Sequence, residues 1–311
     1  MTRADDKGRD QAGSGFRLNC GSPNVIITAH MKPDSIHTAE IFGTPWRGLF
    51  GTRIESDRHF GKHSHATFGL GLIESGAQSS ASGRGPVEAY AGDVISCNPG
   101  EVHDGHPIGG GSRRWRMVYA EPEVFASLTG TASVVDASRV ELTRPVTSDA
   151  LLTQAVRTLF GALDQWQARG DHRTVGSESM ACEESFVRAS AILLGRPAKH
   201  IARGNAPIEI RRARDRIASS LLAPPSLTEL AVASGLSKYQ LLRRFEASYG
   251  LPPHRWLLQR RVEVARGLIG GGASIVDAAA ISGFADQSHL TRHFTKQLGF
   301  TPGAWRYAML Q

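Results

Sequence analysis

Cysteine is nearly absent from this chain of 311 residues, and it comes as an odd, scattered set: Cys20, Cys97 and Cys182. No disulfide framework is implied, and the set fits a reduced, cytoplasmic protein that uses cysteine as a small apolar residue. Long apolar runs are missing too. None approaches the roughly 20 residues that cross a bilayer, so no membrane partner is expected. The opening MTRADDKGRDQAGSG has no apolar signal core and reads as a disordered arm over 1–15. Nothing resembles a nucleophile–base pair or a carboxylate dyad. No catalytic residue is therefore nominated, and the chain is not expected to be an enzyme.

What the chain does have is a repeat. Leu227–Trp256 and Ile275–Arg306 say nearly the same thing twice. Ala231 and Gly235 recur 48 positions later as Ala279 and Gly283. Leu241, Arg243, Phe245, Gly250, Pro253 and Trp256 recur 49 positions later as Leu290, Arg292, Phe294, Gly299, Pro302 and Trp305. One residue has been inserted at the turn between. Such self-similarity means one supersecondary unit built twice.

The unit reads as helix-turn-helix. Leu227, Leu230 and Ala231 share one helical face, Gly235 is the residue a left-handed helix end favours, and Ser237 suits the cap of a new helix. That helix turns Leu241, Leu242 and Phe245 inward. In the second copy Ala285 or Asp286 opens the helix, with Leu290 and Phe294 inward. Small Ala231 and Gly235 permit the close crossing that a tight turn needs. A second helix of this kind is built to enter a DNA major groove. By exposure, the residues expected to touch DNA are Lys238, Tyr239, Gln240, Arg243 and Arg244, then Gln287, Ser288, His289, Thr291 and Arg292. Arginine suits guanine and glutamine suits adenine there. Lys296 and Arg266 are expected at phosphates.

Charge points the same way. Glu209–Gln311 holds 14 of the 36 basic residues but only 7 of the 29 acidic ones, so its net +7 equals that of the whole chain. A basic lobe beside a neutral one implies a polyanion partner for that lobe. At this point the chain resembles an AraC-type transcriptional regulator, on the runs ELAVASGLSKYQLLRRFEASYGLPPHRWLLQRRVEVARGLI and SIVDAAAISGFADQSHLTRHFTKQLGFTPGAWR. The resemblance implies two helix-turn-helix units joined by a long helix, for which Pro253–Leu268 supplies the pattern.

Further upstream the texture is strand and turn, from about Phe16 to Glu121. Two local signals sharpen it: His63-Ser64-His65, whose alternation puts both imidazoles on one strand face, and Ala91–His103, a turn, a strand, a Pro-Gly turn and another histidine. These resemble the cupin barrel that many AraC-type regulators carry as a sensor. Metallo-cupins add a carboxylate four or five residues after the second histidine. Gly69 and Leu70 stand there instead, so the fourth ligand is absent; three protein ligands and a water would still suffice for zinc or iron, but no metal and no other cofactor is expected. His63, His65 and His103 are read as the wall or rim of an organic-ligand pocket, with Trp46, Arg53 and Trp115 as further lining candidates.

The expected fold is α+β in two domains. A cupin-like barrel spans 16–147, a helical hairpin 148–195 and a linker 196–208; an all-α lobe with two helix-turn-helix units spans 209–311. The hairpin follows from apolar residues at helical spacing over Ser148–Arg169 and Glu178–Leu194. The resemblance implies that it pairs two subunits as a homodimer. The expected function is sequence-specific regulation of transcription, set by a small-molecule effector in the barrel. The partners are a double-stranded DNA operator and, for an activator, RNA polymerase. Two alternatives stay open: a cupin-type metalloenzyme fused to a DNA-binding lobe, and a ligand-independent DNA-binding protein.

Overall fold

The structure is a computed structural model describing residues 36–129, 140–168, 177–195 and 206–310, with the backbone of strands at 16–19 and 25–29. The expected arm at 1–15 and all but the last three residues of the expected linker lie outside the described residues.

The N-terminal half is two antiparallel sheets. The larger has eight strands in the order β1(Phe16–Asn19), β2(Val25–Ala29), β3(His37–Gly43), β4(Leu49–Ser56), β11(Arg113–Ala120), β6(Phe68–Ser75), β9(Val94–Cys97) and β12(Val146–Thr147). The smaller runs β5(Phe60–His63), β10(His103–Pro107), β7(Ala77–Ser82), β8(Gly85–Tyr90). Alternation along the central strands decides what faces what. Ile54, Trp115 and Met117 point to one side of the large sheet and join the interior core; Phe68, Leu70, Leu72 and Val118 point to the other. That second face is covered by α1(Pro122–Thr129) and by the hairpin α2(Ala150–Ala168) and α3(Ser177–Leu194), through Leu152, Val156, Leu159, Leu163 and Phe186. The periodicity placed both hairpin helices; α1 is an addition.

The C-terminal third is helical: α4(Ile208–Ala218), α5(Leu227–Ser234), α6(Lys238–Tyr249), α7(Pro253–Gly270), α8(Ile275–Ser282), α9(Gln287–Leu298) and α10(Pro302–Met309). Local chemistry sets both turns alike. Gly235 and Gly283 end α5 and α8 in the left-handed region, at φ 64° and 86°. Ser237 then caps α6 by accepting from Gln240 N, and Asp286 caps α9 by accepting from His289 N. The duplicated helix-turn-helix is thus present, with α7 as the helix between its copies.

Packing divides the molecule into three cores rather than two. The first unit has its own, from Ile210, Ala213, Leu230, Ala231, Leu241, Phe245 and Leu257. The outer sheet face and the hairpin form another. The interior between the two sheets shares the third with the second unit: Ile41, Phe50, Ile54, Trp115 and Met117 lie in one cluster with Ile269, Leu290, Phe294, Leu298, Phe300 and Trp305. Phe50 meets the edge of Trp305 at 4.7 Å between centroids. His37 on β3 adds a polar tie: its Nε2 donates to Gly299 O, the C-cap of α9, at 2.8 Å, while Nδ1 accepts from Ser56 Oγ at 3.0 Å. The second helix-turn-helix unit is therefore built onto the sensor, and α7 carries the first unit beyond it.

Candidate DNA-reading face and sensor pocket

On α6 the exposed residues include Lys238, Tyr239, Gln240, Arg243 and Arg244; on α9 Gln287, Ser288 and Arg292 are exposed, with His289 and Thr291 half-buried. Lys296 is exposed near the barrel end of α9. Not all of these side chains are equally free. Gln240 accepts from Ser237 N at 3.0 Å, closing a capping box, so its oxygen is committed to the helix start. Arg244 is paired with Glu209 of α4 at 3.1 Å. The His289 ring packs edge-on against Phe284. Arg266, read from the sequence as a phosphate contact, is corrected: it is buried, paired with Glu263 at 3.0 Å and laid over Phe50 and Trp305. Its position on α7 faces the shared core, which helical periodicity alone did not reveal.

A cavity of about 110 Å³ opens between the two sheets. Its walls include His63, His65, His103, Trp115, Arg113 and Tyr119, and one side is made by Gln297 and Leu298 of α9. The three imidazoles expected there do converge, with centroids 4.6–5.3 Å apart. His63 Nδ1 donates to Gly61 O at 2.7 Å and His103 Nδ1 to Glu101 O at 2.9 Å. Burial, with His103 beside it, holds the His63 imidazole down at about 3. Burial likewise pushes His65 and His103 below the ordinary histidine range. All three rings are neutral at physiological pH. Burial also pushes the Cys97 thiol on the same wall up to about 12, so it stays protonated.

Two of the expected lining residues do not reach this cavity. Arg53 alternates with Ile54, so it leaves the sheet on the outer face, where it pairs with Glu40 at 2.7 Å. Trp46 lies in the turn before β4 and packs against Phe186 of α3, at 6.4 Å between centroids. Trp115 does line it, two positions from both Arg113 and Met117 on the inward face of β11.

Arg113 was missed, although that same alternation pointed to it. Its guanidinium is buried and donates to Gln78 Oε1 at 3.1 Å and to Arg58 O at 3.1 Å, both neutral acceptors. Among the described residues no carboxylate lies within ion-pair distance of it. Desolvation lowers it to about 10, which still leaves it cationic.

The histidine-bearing segment is also stapled to the helical lobe. Ser64, between His63 and His65, donates through N and Oγ to Gln259 Oε1 of α7 at 3.2 and 2.9 Å. Its carbonyl accepts from Gln297 Nε2 of α9 at 3.2 Å. No periodicity connects Ser64 with Gln259, about two hundred positions away, so this tie was not legible in advance.

A two-sheet sensor core with two helix-turn-helix units and a linking helix defines a one-component regulator, a ligand-binding body fused to a DNA-reading one. Residues 50–179 match the family model described as an AraC-like ligand binding domain, and residues 230–308 match a helix-turn-helix domain. The chain thus carries both domains of AraC-type transcriptional regulators, the ligand-binding one and the helix-turn-helix one. It is 26% identical over 240 residues to the HTH-type transcriptional regulator YbfI of Bacillus subtilis, covering 74% of this chain and 81% of the other. Against the virulence regulon transcriptional activator VirF of Yersinia enterocolitica it is 27% identical over 157 residues, half of this chain and 56% of that one. In architecture it is similar to apo ToxT K231A of Vibrio cholerae, with a TM-score of 0.50 at 10% identity over 86% of this chain and all of that one. No helix among the described residues is long and apolar enough to cross a membrane.

Proposed function

We propose that this chain is a homodimeric, cytoplasmic regulator without enzymatic activity, whose small anionic effector enters the cavity between the two sheets and alters how the second helix-turn-helix unit is held. The observation that carries the reading is that α9 serves two sites. Its exposed residues Gln287, Ser288 and Arg292 offer base-reading groups, while Gln297 and Leu298 at its other end wall the cavity. Anything that moves that wall biases the reading helix, by no more than its differential affinity for the two arrangements. The buried Arg113, which has no carboxylate within ion-pair distance among the described residues and only Asp57 farther off, favours an anion, because a weakly compensated buried charge is costly and a ligand carboxylate or phosphate relieves it. Exposed Leu151 on α2 and Met180 on α3 are apolar groups that a second subunit would cover.

In this reading Lys238, Tyr239 and Arg243 of α6 and Gln287, Ser288, Thr291 and Arg292 of α9 face two successive major-groove segments. Gln240, Arg244 and His289 mainly shape that face, and Lys296 reaches a phosphate. An activator of this form would also contact RNA polymerase. The test is selection of random duplexes with the full chain, followed by footprinting with and without candidate acids. Two short protected segments one helical turn apart per subunit are expected, with occupancy changing when an acid binds. Binding without sequence preference overturns the reading.

A further inference from the structure

We propose that His63, His65 and His103 form a three-histidine site for a divalent transition-metal ion, at the end of the cavity stapled to α7 and α9. One ring nitrogen from each lies within 4.8 Å of the others. From sequence alone the rings are expected as the wall or rim of an organic-ligand pocket, with a three-histidine metal site chemically possible; three features of their surroundings favour the metal.

The tautomers are fixed from behind. With Nδ1–H of His63 and His103 held by the carbonyls of Gly61 and Glu101, Nε2 of each keeps its lone pair. That backbone-held arrangement is the one by which ligating imidazoles are oriented in metal sites. The lone pairs also have no other use. Among the described residues, no protein group hydrogen-bonds to Nε2 of either ring or to either nitrogen of His65. His63 is buried and His65 and His103 are half-buried at the cavity wall, so the free ring nitrogens face a shared space in which one cation engages all three.

Nearby acids are engaged elsewhere and do not complete a different site: Glu101 accepts from Arg84 and Asn98, and Asp104 Oδ1 accepts from Ala81 N. The triad is looser than a filled site. Metal–nitrogen bonds of about 2.1 Å in a tetrahedron put ligand nitrogens roughly 3.4 Å apart, so filling draws the rings inward by about an ångström. Three neutral nitrogen donors without a thiolate or carboxylate suit zinc, nickel, cobalt or iron in the divalent state, and leave coordination positions for water or an exogenous donor. Contraction pulls on Ser64, and through it on Gln259 and Gln297.

This inference stands on the triad alone and does not depend on the DNA-binding reading. The test is calorimetric titration of the chelator-stripped full chain with zinc, and with cobalt as a chromophoric probe. The expected result is one equivalent bound with submicromolar Kd, the tetrahedral cobalt spectrum of a nitrogen site, and a rise in Tm on adding metal. His65→Ala and, as an independent second variant, His103→Gln should each weaken this binding at least 100-fold while keeping the metal-free circular dichroism. Two other histidine pairs could hold metal adventitiously, the stacked His59 and His106 and the one-turn pair His289 and His293 on α9. A double variant His106→Ala, His293→Ala should therefore retain the tight equivalent. The proposal is overturned if wild type and His65→Ala bind alike, or if the tight equivalent disappears with the double variant instead.

Discussion

His37 offers the sharpest quantitative test of how the sensor holds the second reading head. Burial lowers its imidazole from 6.5 to about 4, and its Nε2–H must remain in place to donate to Gly299 O. The folded protein keeps the ring neutral, whereas the unfolded chain protonates it below 6.5. The stabilisation is thus complete above pH 6.5 and is lost as pH falls from there towards 4, where protonation of the folded state levels the curve. The gap corresponds to about 3 kcal/mol, at roughly 1.4 kcal/mol per pH unit. His37→Gln retains a donor for Gly299 O but has no proton to gain, and it gives up the acceptor used by Ser56, a cost of about 1 kcal/mol. Near neutrality the variant should therefore be the less stable protein. By about pH 4.5 wild type has lost more than 2 kcal/mol through this one group, so the order reverses. The other buried histidines titrate in both proteins and cancel in the difference. Thermal melts across pH 4–8 read the crossing as a change of sign in ΔTm, with a total swing of several degrees. Parallel curves would show that His37 is not the neutral, carbonyl-bound ring described.

Three further outcomes follow from the same geometry. Arg243→Ala and Arg292→Ala should each lose about 1–3 kcal/mol of operator binding, concentrated at one base position, whereas Arg266→Ala should lower Tm without relaxing preference at any base; footprints that do not change with either exposed arginine refute the groove assignment. Gly283→Ala should cost at least about 2 kcal/mol, because an added Cβ meets Leu221 O at 2.7 Å on top of the left-handed φ, while Gly235→Ala, open on every side, should cost only the backbone strain of about 1 kcal/mol; equal melting temperatures would contradict this. Arg113→Met should abolish any Tm rise given by acidic effectors and leave the ligand-free Tm equal or higher, since an unneutralised buried charge is removed; a marked loss of ligand-free stability would mean that the guanidinium is structural.

The duplicated unit was readable because each signal is local: a glycine that ends a helix, a side-chain cap, apolar residues a turn apart. Asp286 as the second cap and the two hairpin helices follow from such short-range rules, whereas the convergence of His103 on His63 and His65 rests on the resemblance to a cupin barrel. Long-range partnership was invisible. Arg53 and Ile54 sit side by side in sequence, and nothing local says which faces inward until the neighbouring strands are in register. Arg266 looked like one more exposed cation on a basic helix, but Trp305 and Phe50 lie over it. The polar ties of Ser64 and His37 to the helical lobe each span about two hundred residues or more, beyond any periodicity.

The apolar cluster common to the sheets and to α8–α10 bears on what happens when the backbone is severed. Proteolytic nicking between the halves should not set the second reading head loose, because Phe50, Trp115, Phe300 and Trp305 would keep the two pieces clasped. Expressing either half alone should do the opposite, laying that aromatic seam open to water and inviting clumping. Each half is, in effect, the other's folding chaperone.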